Sequence, residues 1–258
     1  MTKSQQEYSF SIGYVTNGLQ DHSLEQCVQL LRKSGYESIG ITLDHHHLDP
    51  FHVTRSRLRE IRALLENAQL TPVIETGARF YLDAFRKHRP SMLSTDAPGR
   101  AKRVQYYERA VEIAAELGSS VVSLWSGTPQ NSSDRNVIWD RLLPSLSQVC
   151  DKGLKEGVQI AFEPEPGMFI ESLEDYFELK ERLAHPQFKM TLDIGHLAVT
   201  ELDSPLEALK RCYAEVANIH IDDIRNRVHE HLPLGQGEID FPPLLHFLQQ
   251  QGYDGSLL

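Results

Sequence analysis

The sequence predicts an α/β protein that folds as a single (β/α)8 TIM barrel over residues 1–258. Strand-length apolar runs alternate with helix-length segments along the chain, which is the pattern of parallel strands joined by helical crossovers. Eight strand candidates are present, and eight parallel strands are the number that closes this barrel. An open doubly wound sheet is the alternative, but no Gly-x-Gly-x-x-Gly follows the first strand to support a nucleotide-binding version.

Predicted strands and helices alternate in order. The strand candidates are residues 8–14, 37–43, 70–75, 120–125, 158–163, 188–193, 216–222 and 254–258. The helix candidates are residues 24–34, 54–68, 101–117, 137–156, 172–184, 204–214 and 242–251. Ser23 and Ser172 are predicted N-caps, and Gly118 is a predicted helix stop. Ser204-Pro205 opens another helix with proline in the first turn, where the missing N–H costs no intrahelical bond.

The end of the chain is the irregular part of this pattern. The eighth strand candidate, residues 254–258, reaches the last residue, and seven helices are predicted for eight strands. A strand without a covering helix leaves apolar sheet surface in water. We therefore expect that the natural protein continues past Leu258 and that this sequence is truncated in or after its eighth strand.

Composition and charge exclude several classes of protein. The chain is 40% hydrophobic and 24% charged, which is ordinary for a globular enzyme. Its net charge of −10 argues against a nucleic-acid partner, because phosphate neutralisation requires a basic surface. The start is polar and no stretch approaches the ~18 apolar residues of a membrane span, so we expect a cytoplasmic protein without a membrane partner. Cys27, Cys150 and Cys212 show no paired spacing, which fits a reducing compartment.

Three successive strands end in side chains that can bind a metal. Glu163 ends the fifth strand, Asp193 the sixth and His220 the seventh. Side chains alternate between the faces of a strand, so each of the three lies opposite an apolar face and points toward the barrel mouth. Carboxylate and imidazole ligands suit one divalent ion, namely Mn, Co, Mg or Zn. An isolated strand-end carboxylate is more often a helix cap or a solvated charge, so the repetition on three strands is what predicts a metal site.

Other polar side chains are expected at the same mouth. His196 follows Asp193 at a spacing that lets its imidazole reach back to the strand end. His229 and His231 can point the same way in an extended loop, and they form a candidate second metal site. Glu75 ends the third strand with its side chain toward the mouth, where it either binds substrate or has a hydrogen-bonding role inside the barrel.

A long basic segment, residues 76–100, follows the third strand and is the candidate lid. Its basic side chains include Arg79, Arg86, Lys87, His88 and Arg89. Loops of this length in compact domains are usually lids or binding loops, so a basic loop in an acidic chain suggests an anionic group on the substrate. Arg79 is the substrate-binding candidate, and a solvated surface loop is the alternative. His45-His46-His47 is a weaker candidate, since three consecutive residues cannot all face the mouth.

The motifs together resemble those of the xylose isomerase-like TIM barrels, a superfamily that includes sugar isomerases, sugar epimerases and endonuclease IV. The matching segments are Phe162-Glu163-Pro164, Leu192-Asp193-Ile194-Gly195-His196, Ile219-His220-Ile221-Asp222-Asp223, residues 234–241 and residues 252–255. They cover the second half of the chain, whereas the first half matches by architecture alone. The resemblance implies one divalent metal held by Glu163, Asp193 and His220, with a fourth carboxylate from the eighth strand, expected beyond Leu258.

The resemblance also implies a reaction. A metal-dependent isomerase or epimerase of this kind removes a proton next to a carbonyl group of a sugar, sugar phosphate or cyclitol, with Glu163 as the catalytic acid and base. His196 would hold a substrate oxygen, and Arg225 in the loop after the seventh strand would stabilise developing negative charge. The expected partner is a small carbohydrate-like molecule, and homo-oligomerisation is left open.

Three alternative functions follow from the same residues. A lyase that dehydrates a cyclitol or related ring would use the same metal and the same proton abstraction. An endonuclease IV-like DNA repair nuclease needs additional histidines, whereas the fourth strand here ends in Leu124-Trp125-Ser126. A non-catalytic sugar-binding protein is favoured if the natural chain ends at Leu258.

Overall fold

Eight parallel strands close into a barrel in the computed structural model of the protein, which describes residues 9–130 and 134–258. The strands of the chain are β1 (Ser11–Val15), β2 (Ser38–Thr42), β3 (Thr71–Glu75), β4 (Val121–Leu124), β5 (Gln159–Phe162), β6 (Phe188–Asp193), β7 (Val216–His220), β8 (Asp223–Arg225), β9 (Val228–Leu232) and β10 (Ser256–Leu257). The barrel order is β1-β10-β7-β6-β5-β4-β3-β2, and the predicted (β/α)8 fold is confirmed. The first strand candidate began at Tyr8, which lies outside the described residues.

The two strands outside the barrel form a hairpin that the sequence did not indicate. β8 and β9 pair with each other in antiparallel fashion directly after β7. Asn226 and Arg227 connect them with φ values of +54° and +57°, the left-handed pair that a tight hairpin turn requires. The segment of His229 and His231 is therefore a strand and not the extended loop that the sequence suggested.

Eight α-helices occupy the described ranges. They are α1 (Leu24–Lys33), α2 (Arg55–Ala68), α3 (Ala97–Leu117), α4 (Arg135–Glu156), α5 (Leu173–Leu183), α6 (Ile194–Thr200), α7 (Pro205–Cys212) and α8 (Phe241–Gln250). The prediction of seven helices was wrong, because α6 follows β6 with no loop between them. At seven residues it is too short to show the periodicity by which a helix is recognised. Among the helices of the described ranges, none combines the length and the apolar character that crossing a membrane requires.

Local signals account for where several helices begin and end. Ser23 forms a capping box with Gln26, and Ser172 forms one with Asp175, so both predicted N-caps are confirmed. Gly118 ends α3 with φ at +78°, a left-handed conformation that glycine adopts without a steric penalty.

Apolar side chains fill the layer between the barrel strands and the helices. Ile160 and Phe162 of β5 are fully buried there, and the ring centroid of Phe162 lies 5.7 Å from that of Phe188. Burying one side chain of this size stabilises the fold by roughly 1.5–3 kcal/mol. Because side chains alternate along a strand, Ala161 and the following Glu163 point the other way, into the barrel.

The inside of the barrel changes from apolar to polar toward the carboxyl ends of the strands. Val73, Val121, Ala161 and Leu258 form a small buried cluster of their own. The hydroxyl of Thr191 donates a hydrogen bond to Oγ of Ser123 at 3.0 Å, so this interior also holds polar groups. At the end of the strands Asp193 of β6 lies in register with His220 of β7, which sets two proposed ligands side by side.

The long connection between β3 and α3 packs against the barrel. α3 begins at Ala97, four residues before the predicted start, because the Asp96 side chain caps it by accepting the N–H of Gly99 at 2.7 Å. Met92 and Leu93 are fully buried. The buried Arg103 of α3 donates to the backbone carbonyls of Pro90 at 2.8 Å and His88 at 3.2 Å, which ties the second half of the loop to the helix.

Candidate metal and substrate site

A cavity of about 690 Å³ opens at the carboxyl ends of the barrel strands. That is the end at which (β/α)8 barrels carry their active sites, and the volume is typical of pockets for small ligands. Glu75, Glu163, Asp193 and His220 line the cavity from the ends of four different strands. Strand alternation and register therefore bring together residues that lie up to 145 positions apart in the chain.

Glu163, Asp193 and His196 form a compact donor group. One ligand atom of each residue lies within 4.8 Å of those of the other two. The carboxylate of Asp193 accepts the backbone N–H of His196 at 2.9 Å, and Nδ1 of His196 lies 3.0 Å from the carbonyl oxygen of Pro164. The short helix α6 thus turns the imidazole back toward the strand ends. All three side chains are less than a tenth exposed.

His220 lies between two carboxylates. Its Nδ1 is 3.1 Å from Oε1 of Glu163, and its Nε2 is 3.0 Å from Oε1 of Glu75. The amide of Asn218 also donates to Oε1 of Glu75, at 3.3 Å. Glu75 therefore holds Nε2 of His220, while Nδ1 is directed at Glu163.

Burial and the neighbouring opposite charges shift the pKa values of these residues in opposite directions. Burial alone would raise the pKa of Glu163, but the charge and hydrogen bond of His220 and the charge of His196 hold that pKa below its ordinary value. Burial likewise opposes protonation of His220, yet Glu75 and Glu163 raise the pKa of its imidazole well above the usual value. The pKa of Asp193 is raised, chiefly by burial. Opposite charges within this buried group thus offset part of the cost of its burial.

The donor set fits a divalent metal. Nε2 of His196 is buried and has no hydrogen-bond partner among the described residues, although it lies 3.8 Å from Oδ2 of Asp193. A buried imidazole nitrogen without a partner is costly unless a ligand satisfies it. Carboxylate oxygens and imidazole nitrogens are ligands that Zn²⁺, Mn²⁺ and Co²⁺ accept. Nε2 of His220 also contacts the carboxylate of Glu75, and a carboxylate on the second ring nitrogen is usual for metal-binding histidines.

The two histidines of β9 lie beside this group. The ring centroid of His229 is 4.9 Å from that of His196 and 5.0 Å from that of His231. Nδ1 of His231 makes a close contact with Oδ2 of Asp222, whereas Oδ1 of Asp222 is buried without a partner among the described residues. His231 and Asp222 both line the cavity, so the hairpin forms part of its wall.

The remaining sequence candidates lie in different places. Arg79 lines the cavity from the β3–α3 loop. Arg225 is exposed and is not among the lining residues; its guanidinium donates to the backbone carbonyl of Gln236. Of the three consecutive histidines after β2, none lines the cavity, and the buried His47 bonds to Asp44 at 3.2 Å and to the carbonyl of Leu19 at 3.3 Å.

Several lining residues had no clear signal in the sequence. Tyr14 and Asn17 reach the cavity from the end of β1, and Trp125 does so from the end of β4. Their position at strand ends was the available clue, but they are not metal ligands and did not stand out. Glu165, two residues after Glu163, lines the cavity as well. Burial, then the neighbouring charge of Glu163, raises its pKa to about 7.

Asp223 has a structural role that its sequence motif did not reveal. Its buried carboxylate accepts the backbone N–H groups of Gly235 at 2.9 Å, Gly237 at 2.8 Å and Ile239 at 3.1 Å. A Cβ on Gly237 would come within 2.2 Å of Oδ1 of Asp223, so glycine is required there. Asp223 thus fixes the loop that joins the hairpin to α8.

Comparison with known proteins agrees with this architecture. Residues 28–258 match the family described as xylose isomerase-like TIM barrel, which is about nine-tenths of the chain. The class of protein that the fold and the strand-end site define is thus that of the xylose isomerase-like barrels. The chain belongs to this family.

Its relatives include sugar epimerases. L-ribulose-5-phosphate 3-epimerase UlaE of Escherichia coli strain SMS-3-5 is 26% identical over 238 residues, which cover 90% of this chain and 79% of the relative. A D-tagatose 3-epimerase-like protein superposes with a TM-score of 0.79 at 20% identity, covering 96% of this chain and 89% of the other. D-allulose 3-epimerase from Methylomonas sp. superposes with a TM-score of 0.75 at 17% identity, covering 97% and 84%. At 17–20% identity the solved structures show the fold alone. The sequence relatives are sugar epimerases that are distantly related to this chain.

Proposed function

We propose that this protein is a metal-dependent epimerase that inverts C3 of a ketose, the carbon next to the C2 carbonyl. The observation that carries the proposal is the convergence of Glu163, Asp193 and the imidazole of His220 at the carboxyl ends of three neighbouring strands. The names of the sequence relatives support the same class of reaction, since they are 3-epimerases of a ketose phosphate.

Glu163, Asp193 and His220 would hold one divalent ion, which is Mn, Co, Mg or Zn. Nδ1 is the His220 atom directed at Glu163, and it is the atom we expect to bind, with Nε2–H kept on Glu75. When bound, the ion polarises the substrate carbonyl and the adjacent hydroxyl group, which acidifies the C3 hydrogen. His229 and His231 stay a candidate second site.

Glu163 is the proposed acid–base residue on one face of the substrate, and inversion of C3 requires that a second acid return the proton on the opposite face. The carboxylate of Glu163 is ionised at neutral pH because its pKa is held below the ordinary value, and the ionised form is the one that accepts a proton. It lines the cavity and is less than a tenth exposed. His196, whose Nε2 has no protein partner among the described residues, would donate to or accept from a substrate oxygen.

Solvent deuterium exchange tests the proposal directly. The purified protein, loaded with Mn²⁺ or Co²⁺, is incubated in D2O with ketoses and ketose phosphates, and C3 is followed by proton NMR. Epimerisation through proton abstraction gives deuterium at C3 and the C3 epimer. A lyase would instead release water and form an unsaturated product, and the absence of any change at C3 across the panel would contradict both reactions.

A further inference from the structure

The basic side chains of the β3–α3 loop fall into two groups. Arg86 pairs with Asp83 at 2.7 Å, and Arg89 donates to the hydroxyl of Thr128 at 3.1 Å; neither lines the cavity. Arg79, Lys87 and His88 do line it. The loop therefore directs part of its positive charge into the cavity, whereas the charge of Arg86 is neutralised by Asp83 outside it.

The two cations that face the cavity lack counterions. Within residues 9–130 and 134–258, neither Arg79 nor Lys87 has an acidic side chain in ion-pair distance. The N–H of His88, the residue after Lys87, donates to the carbonyl oxygen of Arg79 at 2.6 Å, and the charges of both cations act on His88. Unpaired cations that lie close together repel each other, so an anion between them stabilises this arrangement. The chain as a whole carries a net charge of −10, so the sign of this pair is opposite to that of the protein.

The surroundings of His88 show the same excess of positive charge. Burial, followed by the charges of Lys87, Arg103 and Arg79, lowers the pKa of His88 to about 4, so its ring is neutral at pH 7. Nδ1 of His88 is buried without a hydrogen-bond partner among the described residues. The buried guanidinium of Arg103 bonds to backbone carbonyls and faces the rings of Tyr106, Tyr107 and Trp125.

The floor of the cavity has the opposite character. Glu75, Glu163, Glu165 and Asp193 line it at the strand ends beside His196 and His220, whereas Arg79 and Lys87 are the only arginine and lysine among the described lining residues. A substrate with one anionic end is therefore oriented, with that end toward the loop and its uncharged end toward the metal ligands.

We infer that Arg79 and Lys87 form a subsite for the terminal phosphate of a phosphorylated ketose, an inference that rests on the proposed function. A phosphate monoester carries a charge of about −1.5 to −2 at neutral pH and has three strong acceptor oxygens. The planar guanidinium of Arg79 suits two of them at once, and the ammonium of Lys87 supplies a point charge. The phosphate thus selects the substrate and directs its carbonyl end to Glu163.

Binding of two sugars that differ only by the phosphate tests the subsite. L-Ribulose 5-phosphate and L-ribulose are titrated by calorimetry into the metal-loaded protein and into the variants Arg79→Gln and Lys87→Gln. The wild type is expected to bind the phosphorylated sugar at least about tenfold more tightly, and each variant to lose about tenfold for that sugar alone. Arg86→Gln is the matched control, because Arg86 belongs to the same loop but pairs with Asp83. It is expected to bind as the wild type does.

The outcomes separate the subsite from the reaction. A wild type that binds both sugars equally, or binds neither, overturns the inference, as does a control variant that loses as much affinity as Arg79→Gln. Equal losses for both sugars would mean that the loop residues shape the cavity without recognising phosphate. Phosphate-dependent binding without deuterium exchange at C3 would leave the subsite standing and contradict the proposed epimerisation.

Discussion

Nε2 of His220 lies 3.0 Å from Oε1 of Glu75, although 145 residues separate them in the chain. The contact joins the end of β7 to the end of β3 across the mouth of the barrel. It fixes the ring of His220 so that the other nitrogen is directed at Glu163. We therefore propose Glu75 as a positioning residue for the proposed metal site.

Replacing Glu75 by glutamine should weaken metal binding. The substitution keeps the shape of the side chain but removes the charge that orients His220, and loss of such a partner usually costs about 10–100-fold in metal affinity. The measurement is the dissociation constant for Mn²⁺ or Co²⁺ by calorimetry. Glu116→Gln, at an exposed position of α3, is the control. Unchanged affinity in Glu75→Gln would remove Glu75 from the site.

Glu163→Gln should abolish turnover while the fold is retained. The amide cannot accept the C3 proton, and positioned acid–base groups typically contribute about 10²–10⁴-fold to rate. The readout is the rate of deuterium incorporation at C3, with circular dichroism as the check on folding. Substantial residual exchange in a folded variant would contradict the assignment of Glu163 as acid and base.

Asp223→Asn should destabilise the protein. The carboxylate accepts three N–H groups of the loop after β9, and an amide nitrogen in place of one oxygen cannot accept any of them. A buried N–H left without a partner costs about 1–3 kcal/mol, and the free energy of unfolding in urea should fall by that order. Asp240→Asn is the matched control, since Asp240 is exposed and its side chain makes no capping bond. Equal effects of the two variants would contradict the role of Asp223.

The stability of the protein should depend on Asp49 in acid. Burial alone would raise the pKa of Asp49, but hydrogen bonds from Tyr81, His52 and His45 outweigh it and lower the pKa to about 2. A carboxyl whose pKa is lower in the folded state stabilises the fold above its unfolded pKa of about 3.9, and this contribution is lost as the pH falls toward 2.

Tyr81→Phe should reduce this pH dependence. The variant removes the 2.6 Å hydrogen bond from the Tyr81 hydroxyl to Oδ1 of Asp49, so the pKa of Asp49 moves back toward its unfolded value. The free energy of unfolding, measured in urea between about pH 5 and pH 3, should then fall less steeply than in the wild type. Tyr213→Phe is the control, because that hydroxyl bonds to the carbonyl of Gln251 and not to a carboxylate. A slope that is equal in wild type and Tyr81→Phe would show that this bond does not hold the pKa down.

Strand periodicity predicted the parts of the site that depend on one strand at a time. The direction of Glu163 and of His220 follows from the two-residue repeat of a strand, and parallel pairing sends both to the same mouth. The fold class follows from the same alternation of strands and helices. These are local properties, and the sequence alone determined them.

Contacts between distant segments were decided by the tertiary structure. The pairing of Glu75 with His220 depends on the register of the four strand pairings that lead from β3 to β7 in the closed barrel. The gathering of His229 and His231 around His196 depends on a hairpin and a one-to-two-turn helix that carry little periodic signal. The tertiary structure also decided which cations of the β3–α3 loop line the cavity. The sequence shows the charges of Arg79, Lys87 and Arg86, but it does not show that, among the described residues, only Arg86 of these three has an acidic partner. Local repeats fix which way a side chain points, whereas closure of the barrel fixes which other side chain it meets.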